Sequence, residues 1–249
     1  MTDGPNDESR AGEPREGEDD SNLSRFLVRD PSFTGTLALL GGGEFSFGET
    51  AEADQAWLDE TPEGSTVGFV PAASGSEDYG RHFAGYLLEE FERTAETIPI
   101  YRGRDGWRGK NAERIRDVGA VYLGGGVADH LLDAIVGTPA AEALAAKLRD
   151  GGVVVAIAAA AQAVGAYARS IAGGASIPGL GWLPEGVVEP NFDPGHDRRL
   201  RKLLESPGVT WGLGIPSGAA VLLGPDGEVE LVGTVYLVRG AKGEIETLS

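Results

Sequence analysis

Residues 151–165, GGVVVAIAAAAQAVG, constrain the fold of this chain more than any other stretch. The β-branched residues Val153, Val154 and Val155 favour a buried strand, and the alanines that follow at once favour a helix. Strands that run directly into helices are the units of parallel α/β sheets. Some enzymes hold a nucleophilic serine or cysteine at such a junction, on a sharp turn flanked by small residues. Here the residue at the apex of the expected turn is Ala158.

Strand and helix patterns alternate along two thirds of the chain. Short apolar runs predict strands at 36–40, 66–70, 96–101, 120–123 and 186–192. Amphipathic or alanine-rich spacing predicts helices at 51–60, 79–93, 111–117, 128–136, 139–149 and 197–204. Near the C-terminus, 219–223 with 228–232 and 236–238 with 244–248 flank turn residues and predict hairpins. We therefore expect a three-layer α/β/α sandwich with a mainly parallel sheet and C-terminal antiparallel hairpins.

The N-terminal stretch differs in composition from the rest. Residues 1–25 are rich in Asp, Glu, Gly and Pro and contain few large apolar residues. Such a segment buries too little apolar surface to offset the entropy of ordering. We expect residues 1–33 to form a disordered acidic tail, either a solvating segment or a regulatory arm, and 34–249 to form a single domain.

Charge and composition exclude several classes of protein. The formal net charge is −18, which disfavours a nucleic-acid surface because phosphate binding relies on Lys and Arg. The chain has no cysteine, so a cysteine nucleophile, a thiolate metal site and disulfides are excluded. We see no signal peptide and no membrane span, and we expect a cytoplasmic protein.

Two glycine runs and three histidines are candidates for a site. Gly41–Gly43 and Gly124–Gly126 each follow an expected strand, where their amides could hold a carboxylate or phosphate or simply form tight turns. His130 could line a pocket and His196 could serve as a base, although surface positions explain both; His82 is expected to be structural. Their spacing matches no metal motif, so we expect neither a metal nor a cofactor.

Several segments in order resemble the cyanophycinase and dipeptidase E family of serine peptidases, which has a class I glutamine amidotransferase-like, flavodoxin-like fold. The resemblance spans about residues 36–223 and is carried by LALLGGGEF (37–45), GFVPAASG (68–75), VYLGGGVADHLL (121–132), GLGWLPEGVVEPNFD (179–193), DRRLRKLL (197–204) and WGLGIPSGAAVLL (211–223). It implies a hydrolase that cleaves peptides with a serine nucleophile and a histidine base.

The chain departs from that family at the residues that carry its chemistry. The family's elbow motif, G-T-S-A-G-A, aligns with residues 156–161, which places Ala158 at the position of the nucleophile. Asn191, just before Phe192, stands at the position of the histidine, and Pro216-Ser217 replaces an acidic pair. Alanine has no hydroxyl to attack with, and an amide is not a base near neutral pH.

Two functions from different classes follow. The first is a non-catalytic peptidase homologue, a pseudoenzyme, whose pocket binds a peptide or small molecule; its expected residues are Gly42, Gly43, Glu44, Gly125, Gly126, His130, Ala158, Gln162, Asn191 and His196. The second is an active hydrolase that uses another nucleophile or an activated water, with His130, His196 or Glu44 as base. A histidine that faces the Ala158 turn, with a hydroxyl or carboxylate within ~3.2 Å of it, would favour the second. An interaction-only protein, such as a homodimer, would instead show a shallow or closed pocket and a large apolar patch.

Overall fold

The computed structural model describes Leu27, residues 29–173 and residues 176–249. The thirteen strands in this part of the chain are β1 (Thr36–Leu40), β2 (Val67–Val70), β3 (Ala95–Thr97), β4 (Ala120–Leu123), β5 (Val153–Ile157), β6 (Tyr167–Arg169), β7 (Ser176–Pro178), β8 (Gly186–Pro190), β9 (Trp211–Ile215), β10 (Ala220–Leu223), β11 (Val229–Val232), β12 (Val235–Arg239) and β13 (Ile245–Leu248). Its α-helices are α1 (Ala51–Asp59), α2 (Glu77–Phe91), α3 (Gly103–Gly106), α4 (Gly109–Asp117), α5 (Ala128–Ile135), α6 (Pro139–Arg149), α7 (Ala159–Val164) and α8 (Arg198–Leu204).

Seven strands form the central sheet, in the order β11-β10-β1-β5-β4-β2-β3. The five strands from β1 to β3 in this order are parallel; β10 is antiparallel to β1, and β11 is in turn antiparallel to β10. Successive residues of β1 point to opposite faces: Leu37 and Leu39 pack with α4, α5 and α6, and Ala38 and Leu40 pack with α1 and α2. The three-layer architecture with a mainly parallel sheet is confirmed.

A separate four-stranded sheet, in the order β13-β12-β9-β8, was not expected. The two C-terminal hairpins are confirmed, but they belong to different sheets: β10–β11 extends the central sheet and β12–β13 joins the second one. Helix α8 covers the second sheet with Leu200, Leu203 and Leu204. The small hairpin of β6 and β7 was not expected either, and the strand expected at 96–101 is limited to Ala95–Thr97.

A fully buried carboxylate ties α1 to α2. Asp54 accepts hydrogen bonds from the Thr50 hydroxyl (2.7 Å), the Trp57 indole (2.8 Å) and the Tyr86 hydroxyl (2.8 Å). Burial raises the pKa of Asp54, and these three donors limit the rise. The carboxylate therefore holds the two helices together through hydrogen bonds rather than through an ion pair.

The expected acidic tail falls almost wholly outside the described residues. Of its final part, Phe33 packs edge-on against Trp182 with ring centres 5.8 Å apart. The Arg29 guanidinium donates to the carbonyls of Gly35 and Leu223, the latter at 2.8 Å. These contacts attach the chain to the domain before β1 begins.

Candidate binding cleft at the Ala158 turn

The junction of β5 and α7 has the backbone of a sharp strand–turn–helix elbow. Ala158, between the two elements, has φ 52° and ψ −117°, a region that L-residues rarely occupy and that costs on the order of 1–3 kcal/mol. Its N–H donates to the Leu40 carbonyl (2.9 Å), and its carbonyl accepts from the Gln162 N–H (3.1 Å). The surrounding hydrogen bonds therefore maintain a strained turn whose side chain is a single methyl group.

A cleft of about 290 Å³ opens beside this turn. It lies where parallel strands β4 and β5 end, the edge at which α/β sheets hold their ligands. Its lining combines the turn and α7 with residues from four other segments: Gly126, Asp129, Ala158, Gln162, Arg169, Ser170, Asn191 and Arg199.

Asn191 reaches this cleft from the end of β8. Like Ala158, it has a positive φ, of 49°, and its N–H donates to the Gly41 carbonyl (2.8 Å). Its side chain lies over Gly42, where an added Cβ would be 2.3 Å from the Asn191 Oδ1. The structure thus brings Ala158 and Asn191, which are far apart in the sequence, to the same cleft.

Beside the cleft, the partly exposed Arg169 forms an ion pair with the buried carboxylate of Glu189. Arg169 donates to both oxygens of Glu189, from Nε at 3.1 Å and from Nη2 at 3.0 Å. Gln162 bridges the pair to α7: its Nε2 donates to Glu189 (3.2 Å) and its Oε1 accepts from the Arg169 N–H (3.0 Å). Burial raises the pKa of Glu189, and the charge and hydrogen bond of Arg169 oppose the rise.

A second polar pair lies on the opposite side of the cleft. The Ser170 hydroxyl donates to Asp129 Oδ1 (2.7 Å), and the Ile171 N–H donates to Oδ2 (2.9 Å). Burial raises the pKa of Asp129, but these two hydrogen bonds outweigh it and hold the pKa below its ordinary value. They anchor the residues after β6 to the first turn of α5.

The structure disperses the histidines. Among the described residues, none that lines the Ala158 cleft is a histidine. His130 is exposed on α5, and His82 lines a groove of about 830 Å³ on α2. His196 Nδ1 is 2.7 Å from Asp193 Oδ2, in a neighbouring depression that shares Asn191 and Arg199 with the cleft.

The other expected pocket residues are divided between several places. Gly126 and Gln162 line the cleft with Asn191. Gly125 lies beside the turn, where an added Cβ would be 3.4 Å from that of Ala158. Glu44 lines the groove on α2 instead, and Gly43 is surrounded by Thr50, Glu49 and Ser217.

Four charged residues at or beside the cleft were not expected there: Asp129, Arg169, Glu189 and Arg199. Ser170 is one of four serines, with Ser74, Ser176 and Ser217, that the sequence offers as candidate hydroxyls without an elbow pattern. The basic pattern of α8 could have indicated Arg199, but no local signal distinguishes Arg169 or Glu189. Within the part of the chain that the structure describes, no three His, Asp or Glu side chains form a group that could hold a metal ion. None of the helices described is long and apolar enough to cross a membrane.

Comparisons with known proteins agree with this geometry. The sequence profile of peptidase family S51 matches residues 37–231. A crystal structure of a peptidase from an acI-B1 Actinobacterium superimposes with a TM-score of 0.69 at 18% identity, over 88% of this chain and 98% of that one. A putative peptidase E protein from Listeria monocytogenes EGD-e superimposes with a TM-score of 0.58 at 16% identity, over 80% and 98% of the two chains. None of the curated proteins compared with the chain matches it.

Proposed function

The chain belongs to peptidase family S51, the family of dipeptidase E and cyanophycinase, and on that premise we propose that it binds a peptide or other small anionic ligand without hydrolysing it. The observation that carries the proposal is Ala158. The elbow backbone that presents a nucleophile is present, with φ 52° and ψ −117°, but the side chain presented is a methyl group. Loss of a serine nucleophile alone removes most of the catalysis of such an enzyme.

Among the described residues that line the cleft, no histidine is present to act as the base for serine chemistry. Asn191 faces the cleft from the position that the family resemblance gives to the histidine, and its amide does not accept a proton near neutral pH. The histidine–carboxylate pair of His196 and Asp193 belongs to the neighbouring depression, not to the lining of the Ala158 cleft.

The charges of the cleft support an anionic ligand. The guanidinium of Arg169 is paired with Glu189, whereas the side chain of Arg199 has neither a hydrogen bond nor an ion pair within the described residues. Its guanidinium can therefore form a bidentate contact with a carboxylate. On a chain with a net charge of −18, an exposed arginine in a cleft provides a local attraction for anions that most of the surface lacks.

A second candidate function rests on the Ser170–Asp129 pair. The Ser170 hydroxyl lies in the cleft and donates to a carboxylate at 2.7 Å, the contact that a base-assisted nucleophile requires. The lowered pKa of Asp129 makes it a weak base, however, and two hydrogen bonds already occupy its oxygens. Hydrolysis through this pair is therefore the less favoured alternative.

Hydrolysis assays separate the two functions. The wild-type protein is incubated with peptides that begin with aspartate and with β-aspartyl-arginine, and with a fluorophosphonate probe that labels activated serines. We expect neither turnover nor labelling. Turnover or labelling that Ser170→Ala abolishes would establish the second function and refute the first. Hydrolysis gained by the double variant Ala158→Ser, Asn191→His would support the assignment of the elbow.

Ligand binding is tested by calorimetry with the same peptides. We expect binding that weakens by at least about tenfold in Arg199→Gln, since a hydrogen-bonded charge pair contributes ~1.5–3 kcal/mol. Arg198→Gln is the matched control, because Arg198 is the adjacent exposed arginine and does not line the cleft. Equal effects of the two substitutions would contradict a specific role of Arg199.

A further inference from the structure

An exposed tryptophan lies among basic side chains on the face of the central sheet that α4, α5 and α6 cover. Trp107 is 64% exposed, between α3 and α4. Four exposed basic residues lie close to it in sequence: Arg102, Arg104, Arg108 and Lys110. We call these five residues the Trp107 surface.

The turn that carries Trp107 is firmly held, so its exposure does not result from a loose loop. The buried carboxylate of Asp105 accepts from the Tyr101 N–H (3.2 Å), and its backbone carbonyl accepts from Asn111 Nδ2 (3.0 Å). Gly106 packs directly on α5, where an added Cβ would lie 2.2 Å from the Ala134 carbonyl oxygen. A fixed, solvent-exposed indole is an unusual use of a residue that is otherwise well suited to burial, and it is typical of contact surfaces.

The Trp107 surface is positively charged, whereas the chain as a whole is strongly negative. Residues 101–116 contain six of the 21 Lys and Arg residues and only two acidic residues, in a chain with a net charge of −18. Arg104 and Arg108 contact Asp105, at 3.8 Å and 3.3 Å. The side chains of Arg102 and Lys110 have no hydrogen bond or ion pair within the described residues, so their charges are available to an acidic partner.

An acidic partner is present in the same chain. Residues 1–26, which lie outside the described part, contain eight acidic residues and three arginines, and five of the acidic residues fall within EPREGEDD at 13–20. The described chain begins near the end of α6, where the Thr34 and Gly35 N–H groups donate to the Leu148 carbonyl (2.9 Å and 2.7 Å), and α6 packs beside α4. Positions 13–20 precede Leu27 by seven to fourteen residues, a reach of roughly 25–50 Å when extended, enough to cross a domain of this size.

We propose that the acidic segment 13–20 docks on the Trp107 surface of its own chain, with its carboxylates on Arg102 and Lys110 and its backbone across the indole. The proposal does not depend on the function of the Ala158 cleft. It assigns a partner to a basic aromatic surface that the peptidase-like fold does not otherwise use.

Tryptophan fluorescence tests this proposal directly. The chain has four tryptophans, and Trp57, Trp182 and Trp211 are 0%, 6% and 4% exposed, so quenching by the neutral quencher acrylamide reports mainly on Trp107. A Trp107→Phe variant confirms that assignment. We expect the Stern–Volmer constant of the full-length wild-type protein to be lower, on the order of twofold, than that of a full-length variant in which the five acidic residues of 13–20 are replaced by Asn or Gln.

Three further measurements bear on the docking site. Arg102→Gln with Lys110→Gln should raise quenching to the level of the neutralised segment, whereas Lys202→Gln with Lys242→Gln, the matched pair on other surfaces, should not. Salt at 1 M, where the screening length is about 3 Å, should also raise it. A synthetic peptide of residues 1–26 should restore protection to the neutralised variant, and a peptide with the five acidic residues neutralised should not.

Equal quenching of the wild-type protein and the neutralised variant would overturn the proposal. Protection of Trp107 from acrylamide that persists when Arg102 and Lys110 are replaced would place the segment elsewhere. Protection that rises with protein concentration would assign the contact to a second copy of the chain. Both results refute docking on the Trp107 surface of the same chain. The wild-type protein and the neutralised variant are also compared for binding to phosphatidylserine vesicles and to DNA. Equal binding by the two proteins would show that the Trp107 surface is open in the wild type, and would refute the proposal as well.

Discussion

Replacing Arg169 with glutamine removes the cation from a carboxylate that is 4% exposed. Glu189 then has two ways to remain in the folded protein: as an unpaired buried anion, or as a neutral acid. Breaking a buried pair by removing one partner costs about 3–5 kcal/mol when the remaining charge persists. Protonation limits that cost, because the free energy of neutralising a carboxyl is about 1.36 kcal/mol for each pH unit above its ordinary pKa.

The pH therefore sets the size of the effect. With an ordinary pKa of 4.5, protonating Glu189 at pH 7 costs at most about 3.4 kcal/mol, and at pH 5 only about 0.7 kcal/mol. Burial already raises the pKa of Glu189 in the folded protein, and loss of Arg169 raises it further. An acid whose pKa is higher in the folded than in the unfolded state loses stability as the pH rises between the two values. We expect Arg169→Gln to be destabilised by ~3 kcal/mol at pH 7 and by less than ~1 kcal/mol at pH 5.

Urea unfolding followed by circular dichroism between pH 5 and pH 8 measures this difference. The double variant Arg169→Gln, Glu189→Gln is the control: it carries no buried charge, so its stability relative to the wild type should vary much less with pH. A loss that is the same at pH 5 and pH 7, or below ~1 kcal/mol at pH 7, would show that Glu189 stays ionised and solvated without Arg169. Either result would refute the role assigned to the pair.

Four further substitutions test the packing. Gly42→Ala should destabilise the protein in urea unfolding by about 2–4 kcal/mol and shift Asn191, because Gly42 has a φ of 141° and its added Cβ would lie 2.3 Å from the amide oxygen. Asp54→Ala leaves three buried donors without their acceptor and should lower the unfolding free energy by ~3 kcal/mol or more; a loss under ~1 kcal/mol would mean that water replaces the carboxylate. Within α2, Gly80→Ala should lower the unfolding free energy by about 1–3 kcal/mol, because its Cβ would lie 2.2 Å from the threonine hydroxyl of β3. Gly85→Ala, with open space around it, should raise the unfolding free energy by about 0.5–1 kcal/mol. A change of the same sign in both variants would contradict the packing.

The elements that local patterns define could be predicted from the sequence. The strands at 36–40 and 120–123 and the helix at 139–149 have the expected bounds, because apolar runs stop at glycines and Pro139 occupies the first turn of its helix. The second sheet could not be found in this way, because its strand β9 contains Gly212 and Gly214, which resemble loop residues. The structure shows why they are glycines: an added Cβ would lie 2.7 Å from Leu200 and 2.4 Å from Phe192.

The candidate site was predictable only in part, for a related reason. The run of small residues after β5 indicated the Ala158 turn, and the family resemblance indicated Asn191. Arg169, by contrast, acquires its role from Glu189, twenty residues later, and neither residue lies in a distinctive local pattern. Pairings made by the tertiary fold leave no periodic signal in the sequence.

The position of β1 in the central sheet determines when the sheet can be completed. β1 lies between β5 and β10, and its partner Leu223 stands 186 positions after Leu37 in the chain. During synthesis, β1 therefore has one unpaired edge until the last part of the chain has emerged, and closing a contact of such long range is slow. Exposed strand edges favour association between incomplete chains. Truncation before Ala220 would leave that edge permanently open, so β10 protects the strand of the central sheet that is synthesised first.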